Sequence, residues 1–178
     1  MKYGAISFPG LGIEWNPARG FEIGSLMIYF YAIIIALGVM LAVTYGLRRC
    51  RQFGLKQDDI FDGVLWILPV AIICARAYYC IFSWDSYKND LLSVFNIRQG
   101  GLAIYGGVIG AALCVILHCR IKKISLFATL DMVALGFLIG QAVGRWGNFF
   151  NREAFGAATD SFLRMGLYNT VTGEFEYY

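Results

Sequence analysis

Polar and charged positions divide this 178-residue chain into four long apolar blocks. The first, 24–47, carries no charge and is long enough to cross a hydrocarbon core of about 30 Å at about 1.5 Å per residue. The second, 60–82, holds Asp62 near its start and Arg76 in its later half. The third, 101–118, is uncharged, and the fourth, 126–143, contains Asp131. These blocks predict four transmembrane helices in a single membrane domain: an all-α, polytopic helical membrane protein. Residues 1–23 mix polar and aromatic side chains with proline and glycine, which suits an interfacial arm. They hold Pro9, Glu14, Pro17, Arg19 and Glu22 where a cleavable signal peptide needs an apolar core, so none is expected. The fourth block runs directly into Gly144-Arg145-Trp146-Gly147-Asn148-Phe149-Phe150-Asn151-Arg152-Glu153-Ala154-Phe155-Gly156, which opens an outer-side motif and loop over 144–178.

Composition agrees, with 58% hydrophobic and 15% charged residues, against averages near 45–50% and about 25% in soluble domains. A net charge of +3 is too small to suggest nucleic-acid binding. The placement of charge says more. Arg48, Arg49, Arg51 and Lys56 follow the first block, and Arg120, Lys122 and Lys123 follow the third. By the positive-inside rule both loops, 48–59 and 119–125, are cytoplasmic. The 1–23 arm, the polar loop Ser83 to Gln99 and the Arg145 motif then face outward. Tyr29, Tyr31, Arg76 and the Gly100–Gly107 stretch also fall toward the outer leaflet, so the unusual residues are expected to converge there. The five cysteines show no metal spacing, and His118 is the only histidine, so no metal site is expected.

Arg145, Asn148, Asn151 and Glu153 are costly at a membrane boundary unless they face a cavity or a ligand. Arg145 and Asn148 share one helix face, and a planar guanidinium beside amide donors suits a phosphate group. Trp146, Phe149 and Phe150 read as an interfacial aromatic belt. Gly136, Gly140 and Gly144, like Gly106 and Gly110, recur at helix-packing spacing. The doublets Gly100-Gly101 and Gly106-Gly107 suit either packing or backbone bared for close approach. Arg76 either snorkels to the surface or belongs to the cavity, and Asp62 reads as a charge favoured by its helix dipole. Two functions fit: an enzyme acting on a lipid head group, or a transporter with an anion-binding vestibule. Without internal repeats or polar groups at the midplane, the enzyme is favoured.

At these residues the chain resembles the prolipoprotein diacylglyceryl transferases of bacteria. Gly144-Arg145-x-Gly147-Asn148-Phe149-x-Asn151-x-Glu153-x-x-Gly156 resembles the family signature, and Gly100-Gly101-Leu102-Ala103-Ile104-Tyr105-Gly106-Gly107 its second glycine-rich motif. Ala75-Arg76-Ala77-Tyr78-Tyr79 matches a third region, and Tyr31 falls where the family keeps a first-helix tyrosine. The resemblance implies transfer of the diacylglyceryl group of phosphatidylglycerol to the lipobox cysteine thiol of prolipoprotein signal peptides, at the outer leaflet of the bacterial inner membrane. It implies catalytic roles for Arg145, Tyr105, Asn148 and Glu153. Tyr31, Arg76, Gly106, Gly107, Asn151 and Gly156 would join Arg145 and Asn148 in holding substrate. The nucleophile comes from the substrate, so no cysteine of this chain is needed, and the resemblance implies no organic cofactor either.

Two departures stand beside the resemblance. Some members carry a histidine, proposed as general base, where this chain has Tyr105, and a free phenol with a pKa of about 10 is a poorer base at neutral pH. The family normally has seven membrane helices, and its last helices, a His-Pro-rich segment and a second arginine have no counterpart in this sequence. The expectation is therefore a C-terminally shortened chain holding the phosphatidylglycerol-facing half of the site. The competing expectation is a non-catalytic anionic-lipid binder or an anion transporter fragment.

Overall fold

The computed structural model describes residues 3–24, 26–88, 90–97 and 100–178. Gln99, the expected end of the polar loop, lies outside them. Among the described residues four helices are long and apolar enough to cross a membrane: α1 (Phe30–Arg49), α2 (Gln57–Phe82), α3 (Ile104–Lys122) and α4 (Leu126–Asn151). At 1.5 Å per residue the 19 residues of α3 extend about 28 Å, the thickness of a hydrocarbon core. The helical membrane class expected from the blocks is the class observed. The described residues add six short strands to it: β1 (Tyr3–Phe8), β2 (Ile13–Trp15), β3 (Gly20–Ile23), β4 (Leu26–Tyr29), β5 (Gly166–Asn169) and β6 (Glu174–Tyr177).

The chain forms two compact units, Met1–Ala42 with Phe137–Tyr178, and Val43–Gly136. In the second unit α2 packs along α3. Gly106 and Gly110 make this possible: a Cβ at Gly106 would lie 2.5 Å from the Cys74 carbonyl, and one at Gly110 2.5 Å from the Cys74 Cβ. Cys50, Leu55, Ile60 and Met132 form a buried cluster where α1 ends, α2 begins and α4 enters. Asp62 pairs with Lys122 in the last turn of α3. That is a departure from the dipole reading: Asp62 stands beyond the first turn of α2, where the dipole fades, and the cation facing it accounts for its place.

In the first unit a four-stranded sheet runs β2-β1-β5-β6, every pair antiparallel. Its centre joins sequence-distant strands, with Ile6 opposite Leu167 and both fully buried. Asn169 turns the chain from β5 to β6, its Oδ1 accepting from the Val171 N–H at 2.9 Å. The hairpin β3–β4 delivers the chain into α1, and the Phe30 N–H closes it on the Arg19 carbonyl at 2.8 Å. The first helix therefore begins at Phe30 rather than at residue 24, because 26–29 pair as a strand; Tyr29 ends that strand and Tyr31 opens the helix. The fourth helix does not stop at 143 but continues through the motif to Asn151.

Candidate functional site

The last two turns of α4 carry Arg145, Asn148 and Asn151 at three-residue steps, which sets them along one stripe. The helix then closes tightly. The Arg152 N–H bonds to the Phe149 carbonyl at 3.1 Å, and the Glu153 N–H to the Asn148 carbonyl at 3.0 Å. This pairing is a Schellman closure, whose left-handed position is usually glycine. Here it is Arg152 at φ 55°, and Ala154 is left-handed as well, at φ 52°. The turn brings Glu153 back to the stripe, where its Oε1 accepts from Asn151 Nδ2 at 3.1 Å. It also sets the Ala154 carbonyl where Arg145 Nη1 donates to it at 3.3 Å.

What holds the turn is Arg152, 4% exposed. Its Nε donates to the Gly4 carbonyl at 2.6 Å and its Nη1 to the Phe150 carbonyl at 2.8 Å. Its Nη2 donates to the Pro17 carbonyl at 2.7 Å and to Asn16 Oδ1 at 3.1 Å. Burial first, and the charge of Arg19 second, pull this guanidinium below its ordinary pKa. Arg152 thus ties the end of α4 to the N-terminal arm. The sequence reading passed over it; a further charge inside the motif was its one signal, and nothing local distinguishes a clamp from a ligand.

Arg145 is the opposite case. It is exposed, and among the described residues it has the Ala154 carbonyl as its hydrogen-bond partner and no carboxylate. The Asn148 side-chain amide is likewise without a partner among the described residues. Tyr31 packs against α4 at Gly147, where a Cβ would lie 3.0 Å from its ring, so the absence of a side chain there admits it. Phe149 and Phe150 are half-buried rather than displayed as a belt. Phe149 stacks on Phe8 at 6.4 Å between ring centres, and Phe150 meets Trp15 at 6.1 Å and Phe30 at 5.5 Å. Trp146 stays exposed. Gly156 stands in open space.

The second glycine-rich motif lies in the other unit. Gly106 is spent on α2, with the Cβ of Tyr78 and the carbonyl of Cys74 against it, which accounts for the glycine without a ligand. Gly107 has ordinary contact distances of 3.6 Å to Ala71 and Ala75. Tyr105, 71% exposed, occupies the first turn of α3. Arg76 is 7% exposed, and neither snorkels nor offers a free donor. Its Nε bonds to the Val94 carbonyl at 2.7 Å, its Nη1 to Gly100 and Gly101 at 2.9 Å each, and its Nη2 to Ser93 at 2.8 Å and Asn96 at 3.1 Å. A guanidinium has five N–H groups, and all five are taken. Of the expected site residues, the structure groups Tyr31, Arg145, Asn148, Asn151 and Glu153 in one unit, and Arg76, Tyr105, Gly106 and Gly107 in the other. Among the described residues no cluster of histidine, cysteine and carboxylate side chains has metal-ligand geometry.

An exposed, uncompensated guanidinium aligned with amide donors at the end of a membrane helix suits a phosphate at the bilayer surface. Four apolar helices ending in such a stripe define a multi-pass membrane protein with a polar site at one helix end. The family model for prolipoprotein diacylglyceryl transferase matches residues 19–175. The chain is 43% identical over 147 residues to the phosphatidylglycerol–prolipoprotein diacylglyceryl transferase of Lactiplantibacillus plantarum, covering 83% of this chain and 52% of that one. It is 43% identical over 159 residues to the Listeria monocytogenes enzyme of that name, covering 89% and 57%. To transferase 1 of Clostridium perfringens it is 44% identical over 161 residues, covering 86% and 61%. The chain belongs to the prolipoprotein diacylglyceryl transferase family. It spans little more than half the length of these curated relatives.

Proposed function

We propose that this chain carries the lipid-phosphate-gripping part of a phosphatidylglycerol–prolipoprotein diacylglyceryl transferase, working at the outer leaflet of a bacterial cytoplasmic membrane. The observation that carries the reading is Arg145: of the three arginines in these motifs, two are enclosed by carbonyls and this one keeps free donors. The positive residues of 48–56 and 120–123, on the far sides of the spans from the motif, support the orientation.

The reaction forms a carbon–sulfur bond and breaks a carbon–oxygen bond. The substrate cysteine, as thiolate, attacks the glyceryl carbon that bears the phosphate. Glycerol phosphate leaves with the bonding pair, and the thiol proton passes to a base. Charge grows on the departing phosphate oxygen. Arg145 and Asn148 are the groups proposed to meet it, and the low dielectric of a membrane boundary would strengthen that interaction relative to water. Asn151 holds Glu153 at the edge of the stripe, where its carboxylate orients the amide rather than repelling the phosphate directly. Tyr31, packed against Gly147, is proposed to offer its hydroxyl to the head group. Tyr105 is the residue of the second motif proposed to meet the substrate thiol.

The test is transfer of labelled diacylglycerol from phosphatidylglycerol to a lipobox peptide by the 178-residue chain in nanodiscs, beside its Arg145→Ala variant. Transfer that disappears with Arg145 supports the reading. Equal transfer by both overturns it, as does a chain without transfer whose phosphatidylglycerol binding is unmoved by Arg145→Ala.

A further inference from the structure

We propose that Arg76 is a positioning residue that fixes the entrance of α3, and with it Tyr105, by holding the carbonyls of Gly100 and Gly101. The inference rests on the proposed transfer reaction for its catalytic consequence, but its geometry stands alone. A buried guanidinium ordinarily faces a carboxylate. Among the described residues Arg76 has none, and its charge is met by five backbone carbonyl dipoles and by the rings of Tyr87 and Tyr79, centred 5.2 and 6.0 Å away. No N–H remains for a substrate phosphate.

The carbonyls it collects come from two places, Ser93 to Asn96 and Gly100-Gly101. Gly100 and Gly101 both have positive φ, 88° and 80°, the backbone state that sends these two carbonyls to a single Nη1. Gly101 is also the closer-packed of the two: a Cβ there would run into that Nη1 and stand 2.8 Å from the Tyr79 ring. Immediately beyond, the Ala103 N–H bonds to the Ala75 carbonyl at 3.1 Å, one residue before Arg76 in α2. The helix then starts at Ile104, so Tyr105 leaves a backbone pinned to α2 by two consecutive residues. The doubled glycine is therefore read by a side chain of the protein itself.

Three variants test this: Arg76→Ala, Arg76→Lys and Gly101→Ala, measured in nanodiscs for hydrogen exchange and for transfer. In each, the Ala103 amide should exchange at least about tenfold faster, while the middle of α3, Gly110 to Val115, keeps its protection and shows the fold intact. Turnover should fall about 100-fold, the scale of a misplaced catalytic group, with KM for phosphatidylglycerol within about twofold. Combining Arg76→Ala with Gly101→Ala should add little to either alone, since both release one element. Unchanged exchange at Ala103, a raised KM with turnover intact, or additive losses would each overturn the proposal. If the unmodified chain shows no transfer, the exchange measurement alone decides the role of Arg76, and lipid binding by the Arg145 variant decides the reaction reading. If Arg76→Ala loses protection throughout α3, Arg76→Lys and Gly101→Ala carry the test.

Discussion

Replacing Arg152 separates two opposing effects at a single residue. Its side chain makes four charge-assisted hydrogen bonds, to Gly4, Phe150, Pro17 and Asn16, while its backbone sits at φ 55°. Hydrogen bonds of this kind contribute about 1.5–3 kcal/mol each, and less when they share one group, so Arg152→Ala should cost about 3–4 kcal/mol. Alanine inherits the left-handed backbone, which costs a residue with a Cβ about 1–2 kcal/mol. Arg152→Gly loses the same bonds and escapes that strain, but has about 0.5–1 kcal/mol more chain entropy to lose on folding. Subtracting, the glycine variant should be the more stable of the two by about 0.5–1 kcal/mol, with both well below the unmodified chain. Urea unfolding in detergent, followed by emission from Trp15, which packs on Phe149 and Phe150, reads the relevant unit. A glycine variant no more stable than the alanine variant would refute the strain argument. An alanine variant within about 0.5 kcal/mol of the parent would refute the clamp.

The remaining predictions use different readouts. Arg145→Ala should lower transfer about 100-fold or more, as loss of a charge-stabilising donor does, and Arg145→Lys should recover only part of it because an ammonium lacks the planar fork. Gly106→Ala should destabilise the packing of α2 on α3 by about 1–3 kcal/mol in thermal unfolding, since the new methyl meets backbone, whereas Gly107→Ala, with contacts at 3.6 Å, should be tolerated. The hydrogen bond from the Tyr178 hydroxyl to Glu176 holds that phenol above its ordinary pKa. Its contribution to stability is thus complete below about pH 10 and is lost as pH rises past that value. Ultraviolet titration should show a late-ionising tyrosine that moves down in Glu176→Gln; no change in that variant would exclude the carboxylate as the cause.

The helices were legible because a membrane span needs a long apolar run and little else reproduces one. Their ends were less so. Leu26 to Tyr29 is as apolar as the helix it precedes, and only its pairing with Gly20 to Ile23 makes it a strand. Gly144 to Asn151 looked like the end of a helix because it is polar, yet the helix continues and turns that polarity into a stripe. The four-stranded sheet left no local trace, since Ile6 finds Leu167 across most of the chain. The motif residues Arg145, Asn148, Asn151 and Glu153 were visible as polarity out of place. The difference between Arg145 and the enclosed Arg76 and Arg152 was not, because a run of carbonyl oxygens has no signature in side-chain letters.

The way the two units divide the chain carries a consequence for synthesis. Val43–Gly136 is continuous, so every partner it needs is present once residue 136 has been made. The other unit is assembled from both ends of the sequence, and β1 has no β5 to pair with until residues 166–169 emerge. At about 5–20 residues per second, some 160 residues separate those two strands, a wait of about 8–32 seconds in which the β1 edge is open. The Arg152 clamp, which closes on Gly4 and Pro17, is made near the end of that interval. The turn that closes α4 beyond Arg145 is therefore fixed only after the helical pair of the continuous unit has been made.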